Sequence, residues 1–443
     1  MGMGPTSKGL AGDAPRPDRG SLVSRRRHPR RAPANKAMLI QAISLFTLAG
    51  QPTGSPTPRT GDFGSSLAFV GDVDGDGRDD FLVSSAGWEG GPVGALWLFS
   101  GATRELIYEV KAGGMDQHFA GTIRALGDLD GDGIREWALI RPLSGETEIA
   151  GGVVVRSGAS GGTLLTLSSR NLGLELCEDI EDAGDLNGDG CPDLLVGGCD
   201  VTHARGVSAP IYRRFTFMVS GRNGSVLRRA FAEQEPLAIS GTAHALGDID
   251  GDGFGDLLLH DPGQPDRPSW RAVSSNTGGL LYTLRRGGTL LGDLDGDGVP
   301  DLVQPYTYGK TGADMIVADS PRGEALQPAG DLDGDGREEL LGWSSGSGRG
   351  FTDQGSPGTV CVSRLESSPI DFWYARQVWS VKGEPGDEYF GDTTAAGGDL
   401  DGDGLPDILI VGSHKPRRKY VRGYVGLTGK VLFTLHAPVT EDE

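Results

Sequence analysis

Cysteine is scarce in this chain, four in 443 residues with no C-x-x-C pair, which argues against a cysteine-ligated metal. Large apolar residues are also few. Aromatics make up 7% and hydrophobics 37%, against 74 glycines, the balance of a turn-rich protein with small cores. No apolar stretch reaches the roughly 20 residues of a membrane span; the best candidate, Met38 to Gly50, is short and interrupted by Gln41 and Ser44. Catalytic signatures are missing: there is no G-x-S-x-G, H-E-x-x-H or phosphate loop, and His118, His203, His244, His260 and His414 lack nucleophile-base spacing. Basic residues are outnumbered, 41 to 61, for a net charge of −20. That balance excludes nucleic acid as a partner, despite a cluster at Arg25, Arg26, Arg27, Arg30 and Arg31.

The acid is concentrated in seven copies of one ten-residue phrase. They are GDVDGDGRDD at 71–80, GDLDGDGIRE at 127–136, GDLNGDGCPD at 184–193, GDIDGDGFGD at 247–256, GDLDGDGVPD at 292–301, GDLDGDGREE at 330–339 and GDLDGDGLPD at 398–407. Counting from the first Asp, position one is Asp72, Asp128, Asp185, Asp248, Asp293, Asp331 or Asp399. Position three is Asp74, Asp130, Asn187, Asp250, Asp295, Asp333 or Asp401. Position five is Asp76, Asp132, Asp189, Asp252, Asp297, Asp335 or Asp403, and position nine is Asp80, Glu136, Asp193, Asp256, Asp301, Glu339 or Asp407.

Two unit charges about 4 Å apart interact by roughly 4 kcal/mol at an effective dielectric near 20, so three or four converging carboxylates need a cation between them. Oxygen donors at alternate positions of a Gly-rich loop suit Ca²⁺, and up to seven such ions are expected. Position seven varies freely among Arg78, Ile134, Cys191, Phe254, Val299, Arg337 and Leu405, as befits a residue offering only its carbonyl. The loop is not an EF-hand. Its twelfth position, which would need a bidentate Glu, holds Val83, Leu139, Val196, Leu259, Gln304, Gly342 and Ile410. Without the loop carboxylates the chain would be net basic, and seven bound Ca²⁺ would leave it mildly acidic.

Short apolar runs ending in small residues follow the loops, among them FLVSS, LLVGG, LLLH and ILIVG, and these read as strands begun by the position-nine carboxylate. Loop starts lie 38 to 68 residues apart, a unit of about four strands. The first unit supplies GSSLAFV, DFLVSS, GALWLFS and ELIYEVKA, and no amphipathic helix interrupts the series. The expected fold is all-β: a seven-bladed β-propeller of four-stranded antiparallel blades with the Ca²⁺ loops between strands one and two. An eight-bladed ring with one degenerate blade is the runner-up, and the fifth blade, with 38 residues to the next loop, is expected to lack its outer strand.

Phe63-Gly64, Phe119-Ala120 and Phe390-Gly391 each stand nine and eight residues before a loop's first Asp, and Gly94-Ala95-Leu96 opens a third strand. This pattern resembles the FG-GAP repeat of integrin α-chain propellers and related bacterial surface proteins. The corresponding positions become Leu176-Cys177, Ile239-Ser240, Leu284-Arg285 and Arg322-Gly323 in the middle of the chain, while the acidic loops persist. The resemblance implies a non-enzymatic, calcium-stabilised binding or adhesion module, secreted or on a cell surface, with a protein or carbohydrate ligand. A calcium-assisted polysaccharide lyase or hydrolase is the alternative. If the loops occupy one face, the remaining connections emerge on the other, where Trp88, Tyr212, Trp270, Tyr308 and Arg417 are candidate ligand contacts.

Residues 1–37, rich in Gly, Pro, Ser and Arg, are expected to be disordered. Residues 38–50 read either as a secretory signal with cleavage near Ala49-Gly50 or as an outer strand, since Ser44 to Leu48 echoes Lys430 to Leu435. The propeller then occupies 51–443. Cys191 and Cys199 bracket one strand, about 26 Å apart at 3.3 Å per residue, and cannot pair. Antiparallel pairing of strands ending at Gly184 and starting at Asp193 would bring Cys177 beside Cys199, as a disulfide or as reduced, packed thiols.

Overall fold

A computed structural model describes residues 63–86, 94–112, 121–141, 152–172, 176–202, 211–230, 242–260, 270–284, 289–290, 302–303, 306–307, 314–315, 317–318, 325–344, 358–367, 373–385, 387, 390–414 and 418–438. The expected disordered extension and signal-like segment lie outside these residues. So do the whole fifth loop (Asp293, Asp295, Asp297, Val299, Asp301) and Trp88, Tyr308 and Arg417.

The protein is an all-β propeller of antiparallel, mostly four-stranded sheets, each built from consecutive strands. The first sheet is β1 (Phe63–Gly71), β2 (Asp80–Ser85), β3 (Ala95–Phe99) and β4 (Leu106–Lys111). The second is β5 (Ile123–Ala125), β6 (Trp137–Arg141), β7 (Gly152–Arg156) and β8 (Thr163–Ser168), followed by the four-residue helix α1 (Ser169–Leu172). That helix is a small departure from the uninterrupted strand series expected. Next come β9 (Leu176–Asp182), β10 (Leu194–Thr202), β11 (Ile211–Val219) and β12 (Val226–Ala230), then β13 (Thr242–Gly247), β14 (Asp256–His260), β15 (Trp270–Val273) and β16 (Leu280–Leu284).

Seven equivalent blades are not what forms. Among the described residues six sheets are developed, and those of the fifth unit form two-residue strands, β17 (Thr289–Leu290), β18 (Leu302–Val303), β19 (Tyr306–Thr307) and β20 (Asp314–Met315). Few branched apolar residues are available there to cover both faces of a sheet. The sixth sheet is unexpected in another way. Its strands β22 (Ala325–Gly330), β23 (Glu339–Ser344), β24 (Thr359–Ser367) and β25 (Trp373–Lys382) gain a fifth, β21 (Val317–Ala318), which pairs in parallel with the outer strand β25. The last sheet is β26 (Thr394–Gly398), β27 (Asp407–His414), β28 (Arg418–Tyr424) and β29 (Val431–His436).

Strand position within a sheet follows sequence character. β2 and β3 are buried along their whole length, so both faces must be apolar or small, whereas the outer β4 and β29 alternate toward solvent. The cores lie between neighbouring sheets. Leu126, Ile140 and Val153 of the second sheet pack with Ile180, Val196 and Phe217 of the third. Phe63, Phe81 and Trp97 of the first pack with Leu409, Val411 and Val421 of the last, which brings the two ends of the propeller together. First strands contact one another, β1 with β5 and β26, and β9 with β5 and β13, so they form the inner circle. The two Phe-Gly pairs within the described residues earn their places differently: Phe63 and Phe390 are fully buried, while Gly64 and Gly391 take φ values of 83° and 87°.

Candidate metal loops

Each described acidic loop links the first strand of a sheet to the second, as expected. The position-nine carboxylate opens the second strand directly at Asp80, Asp256, Glu339 and Asp407, and stands one residue before it at Glu136 and Asp193. Glycines at positions four and six hold the loop's reversal, with φ of 73° and 92° at Gly75 and Gly77 and similar values in the other five described loops. An L side chain rarely adopts that backbone conformation.

The loop carboxylates organise the backbone, several of them through both oxygens. Asp128 accepts from the N–H groups of Gly131 (2.6 Å) and Gly133 (2.8 Å), Asp130 from that of Asp132 (3.2 Å), and Asp132 from that of Ile134 (2.8 Å). The position-nine group is anchored twice. Oδ2 of Asp80 accepts from the N–H groups of Val73 and Asp74, and its Oδ1 from Gly101 in the hairpin between β3 and β4. Asp193 and Asp407 repeat this with Gly221 and Gly426. These hairpin glycines went unnoticed in the sequence reading, although the recurring pairs Ser100-Gly101, Ser157-Gly158 and Ser220-Gly221 signal them. A Cβ on Gly101 would lie 2.0 Å from the Asp79 carbonyl oxygen, so only glycine permits the approach.

Carboxylate oxygens also converge. Ligand atoms from Asp128, Asp130, Asp132 and Glu136 all lie within 4.8 Å of one another. The same holds for three groups in each of four further loops: Asp72, Asp74, Asp80; Asp248, Asp250, Asp256; Asp331, Asp333, Glu339; and Asp399, Asp401, Asp407. Among the described loops, position five joins the cluster only in the second. In two others it is engaged elsewhere, Asp76 accepting from Ser100 Oγ and Asp252 from Asn276 Nδ2.

Such crowding is electrostatically costly without a counter-charge. Burial first, and the neighbouring carboxylates after it, push Asp80, Glu136 and Glu339 up to about 7 and Asp407 up to about 6. Glu136 is fully buried, and its Oε1 has no hydrogen-bond partner. A hard cation would satisfy that oxygen and relieve the repulsion, so the donor set fits Ca²⁺.

The third loop differs. Asn187 donates from Nδ2 to both oxygens of Asp193, at 3.0 and 2.9 Å, and so lowers the local negative charge. Position-seven side chains also reach between loops. Arg78 reaches from the first loop to the Leu400 carbonyl of the seventh at 2.7 Å, and the buried thiol of Cys191 in the third loop donates to the Leu129 carbonyl of the second at 3.3 Å.

Two other expectations change. Trp270 does not lie in an exposed connection: it opens β15, is 8% exposed, and stacks on His244 with ring centroids 6.0 Å apart. Its apolar ring packs with Leu246, Leu258 and Ala272. Tyr212 lies in β11, opposite Val201. In the register of β9 with β10, Cys177 stands opposite Gly198 and Cys199 opposite Leu176, so a bulge displaces the expected opposition by one residue.

An all-β propeller with an acidic turn entering the second strand of each described full sheet is the class this architecture defines. More particularly, residues 63–99 match the FG-GAP repeat. Integrin alpha-4 of Xenopus laevis is 29% identical over 176 residues, which is 35% of this chain and 16% of the integrin's length. Among solved structures, Bacillus licheniformis rhamnogalacturonan lyase PL11 is similar at 13% identity, covering 86% of this chain and 75% of that one, with a TM-score of 0.42. The six-bladed Aleuria aurantia lectin aligns over 88% of this chain and 100% of its own, at 9% identity and a TM-score of 0.39. Likeness this distant bears on neither fold detail nor function. No helix among the described residues is long and apolar enough to cross a membrane.

Proposed function

We propose that the protein is a calcium-stabilised, extracellular or cell-surface binding module whose loops staple each sheet and whose opposite face recognises a protein or carbohydrate. The observation that carries the calcium reading is the buried Glu136, with an unpartnered oxygen beside three further carboxylates. Asp128, Asp130, Asp132 and Glu136 would hold the ion in that loop, with the equivalent residues in the others. The surface location rests on similarity to the integrin α-chain. Where loops between strands one and two and hairpins between strands three and four share one face, ligand contact falls to the other. A glycan and protein binding screen with and without Ca²⁺ tests this reading. Calcium-dependent capture of a defined ligand supports it, and no binding to either class contradicts it.

The second reading, a polysaccharide lyase or hydrolase, is favoured by one cluster on the inner strands. His244 Nδ1 lies 2.8 Å from Glu181 Oε1, and Arg124 lies 3.4 Å from Asp179, all four side chains at least a quarter exposed. Burial works against charge on His244, but the Glu181 hydrogen bond together with the charges of Glu181 and Asp179 outweighs it and holds the imidazole above its ordinary range. Release of unsaturated sugar from an acidic polysaccharide, abolished by His244→Ala, would establish this reading in place of the first.

A further inference from the structure

Position eight of the acidic loop contributes no carboxylate to the clusters, yet it joins one loop to the next. The Asp79 N–H donates to the carbonyl of Asp399, position one of the seventh loop, at 2.8 Å. In return the Asp399 N–H donates to Asp79 Oδ2 at 3.0 Å, and Arg78 reaches the Leu400 carbonyl at 2.7 Å. The backbone of one candidate metal ligand is therefore held on both sides by a residue of a different loop. Gly255 N–H makes the corresponding bond from the fourth loop to the Asp185 carbonyl of the third, at 3.2 Å. Arg135 N–H reaches Val70, just before the first loop, at 3.3 Å.

Proline at position eight removes this donor. Pro192 and Pro406 instead pack their rings near Gly127 and Gly330. The position-eight backbone bonds thus run from loop seven through one to two and from three to four; they are missing between six and seven, and between two and three, where the weaker contact from Cys191 Sγ to the Leu129 carbonyl (3.3 Å) remains. The continuous stretch spans the junction of the first and last sheets, which share no strand among the described residues.

We propose that calcium binding at the first and seventh loops is coupled, with Asp79 acting as a positioning residue for Asp399, while coupling is weaker where proline replaces the position-eight donor. This rests on the calcium reading above. Occupancy at loop seven fixes the Asp399 backbone, and that backbone is half of the bonded pair that fixes Asp79 and the end of loop one. Reciprocity of coupling requires the converse effect.

Hydrogen–deuterium exchange of the full chain across a calcium titration gives a separate midpoint for each loop. The reporting amides are Gly402 and Gly404, which bond Asp399, and Asp76 and Gly77, which bond Asp72. In the Asp401→Ala variant the midpoint of the first loop should rise about fivefold or more. The midpoint of the fourth loop should not move. Asp79→Ala, which removes no candidate ligand, should raise the midpoint of the seventh loop, with Asp79→Asn restoring part of it. A first-loop midpoint indifferent to Asp401→Ala, or equal shifts in all loops, overturns the coupling while leaving the metal reading intact. If no loop of the wild-type chain gains protection with calcium, the metal reading itself fails and the coupling with it.

Discussion

Replacing Glu136 by Gln should stabilise the metal-free protein and weaken it in calcium, a reversal of sign that few structural residues would show. Glu136 is fully buried and its carboxyl is pushed from 4.5 up to about 7, by burial first and then by Asp130, Asp128 and Asp132. Because the folded value lies above the unfolded one, the unfolded chain releases its proton first. Metal-free stability is therefore lost as pH rises from about 4.5 to about 7, and the full loss is present at pH 8. A displacement of that size corresponds to roughly 3 kcal/mol, as an upper bound, since each unit is worth about 1.4 kcal/mol. Gln is nearly isosteric, carries no charge and can still accept from the Leu129 N–H, so it avoids this term. At pH 8 in chelator, urea unfolding of Glu136→Gln should show a gain approaching that value, and at pH 4 the two proteins should coincide. In calcium the order should invert, because the variant loses a ligand. Destabilisation of equal size in chelator and in calcium would refute the reasoning and leave Glu136 a packing residue.

Gly101→Ala should cost about 1–3 kcal/mol or more, because its Cβ would stand 2.0 Å from the Asp79 carbonyl oxygen and disturb the bond to Asp80. Urea midpoints measure this, and a loss within about 0.5 kcal/mol, the range of an ordinary surface change, would contradict it. Asn187→Asp should lower stability in chelator, since it places a fourth carboxylate against Asp193, and should enlarge the gain on adding calcium. An unchanged calcium increment would show that the third loop binds no ion.

Much of the fold was legible because the repeat is dense in local signals. The paired loop glycines require left-handed backbone, the alternating aspartates converge, and the apolar run after each loop has the length of a strand. The position-nine carboxylate was correctly set at the start of the second strand. Tertiary relations were not legible in the same way. Trp270 looked like a loop aromatic because Pro and Asp precede it, but its burial depends on Leu246 and Leu258, distant in sequence. The fifth loop is intact in sequence, and among the described residues only two-residue strands flank it, so the loop alone did not reveal the sheet. The parallel pairing of β21 with β25 joins segments more than fifty residues apart and leaves no local trace. Hairpin glycines such as Gly101 were visible in the repeat, but their purpose emerges only when the hairpin is seen against the loop.

Thermal unfolding of the full chain in excess calcium and in EDTA bears most directly on the claim that the acidic loops are cation staples. A site that binds only in the folded state contributes about 2.7 kcal/mol at a hundredfold excess over its dissociation constant. Several such sites acting together predict a large fall in the melting temperature on chelation, reversed by added calcium. Equal melting temperatures in the two conditions would contradict the account, for then the carboxylates would be ordinary solvated turns.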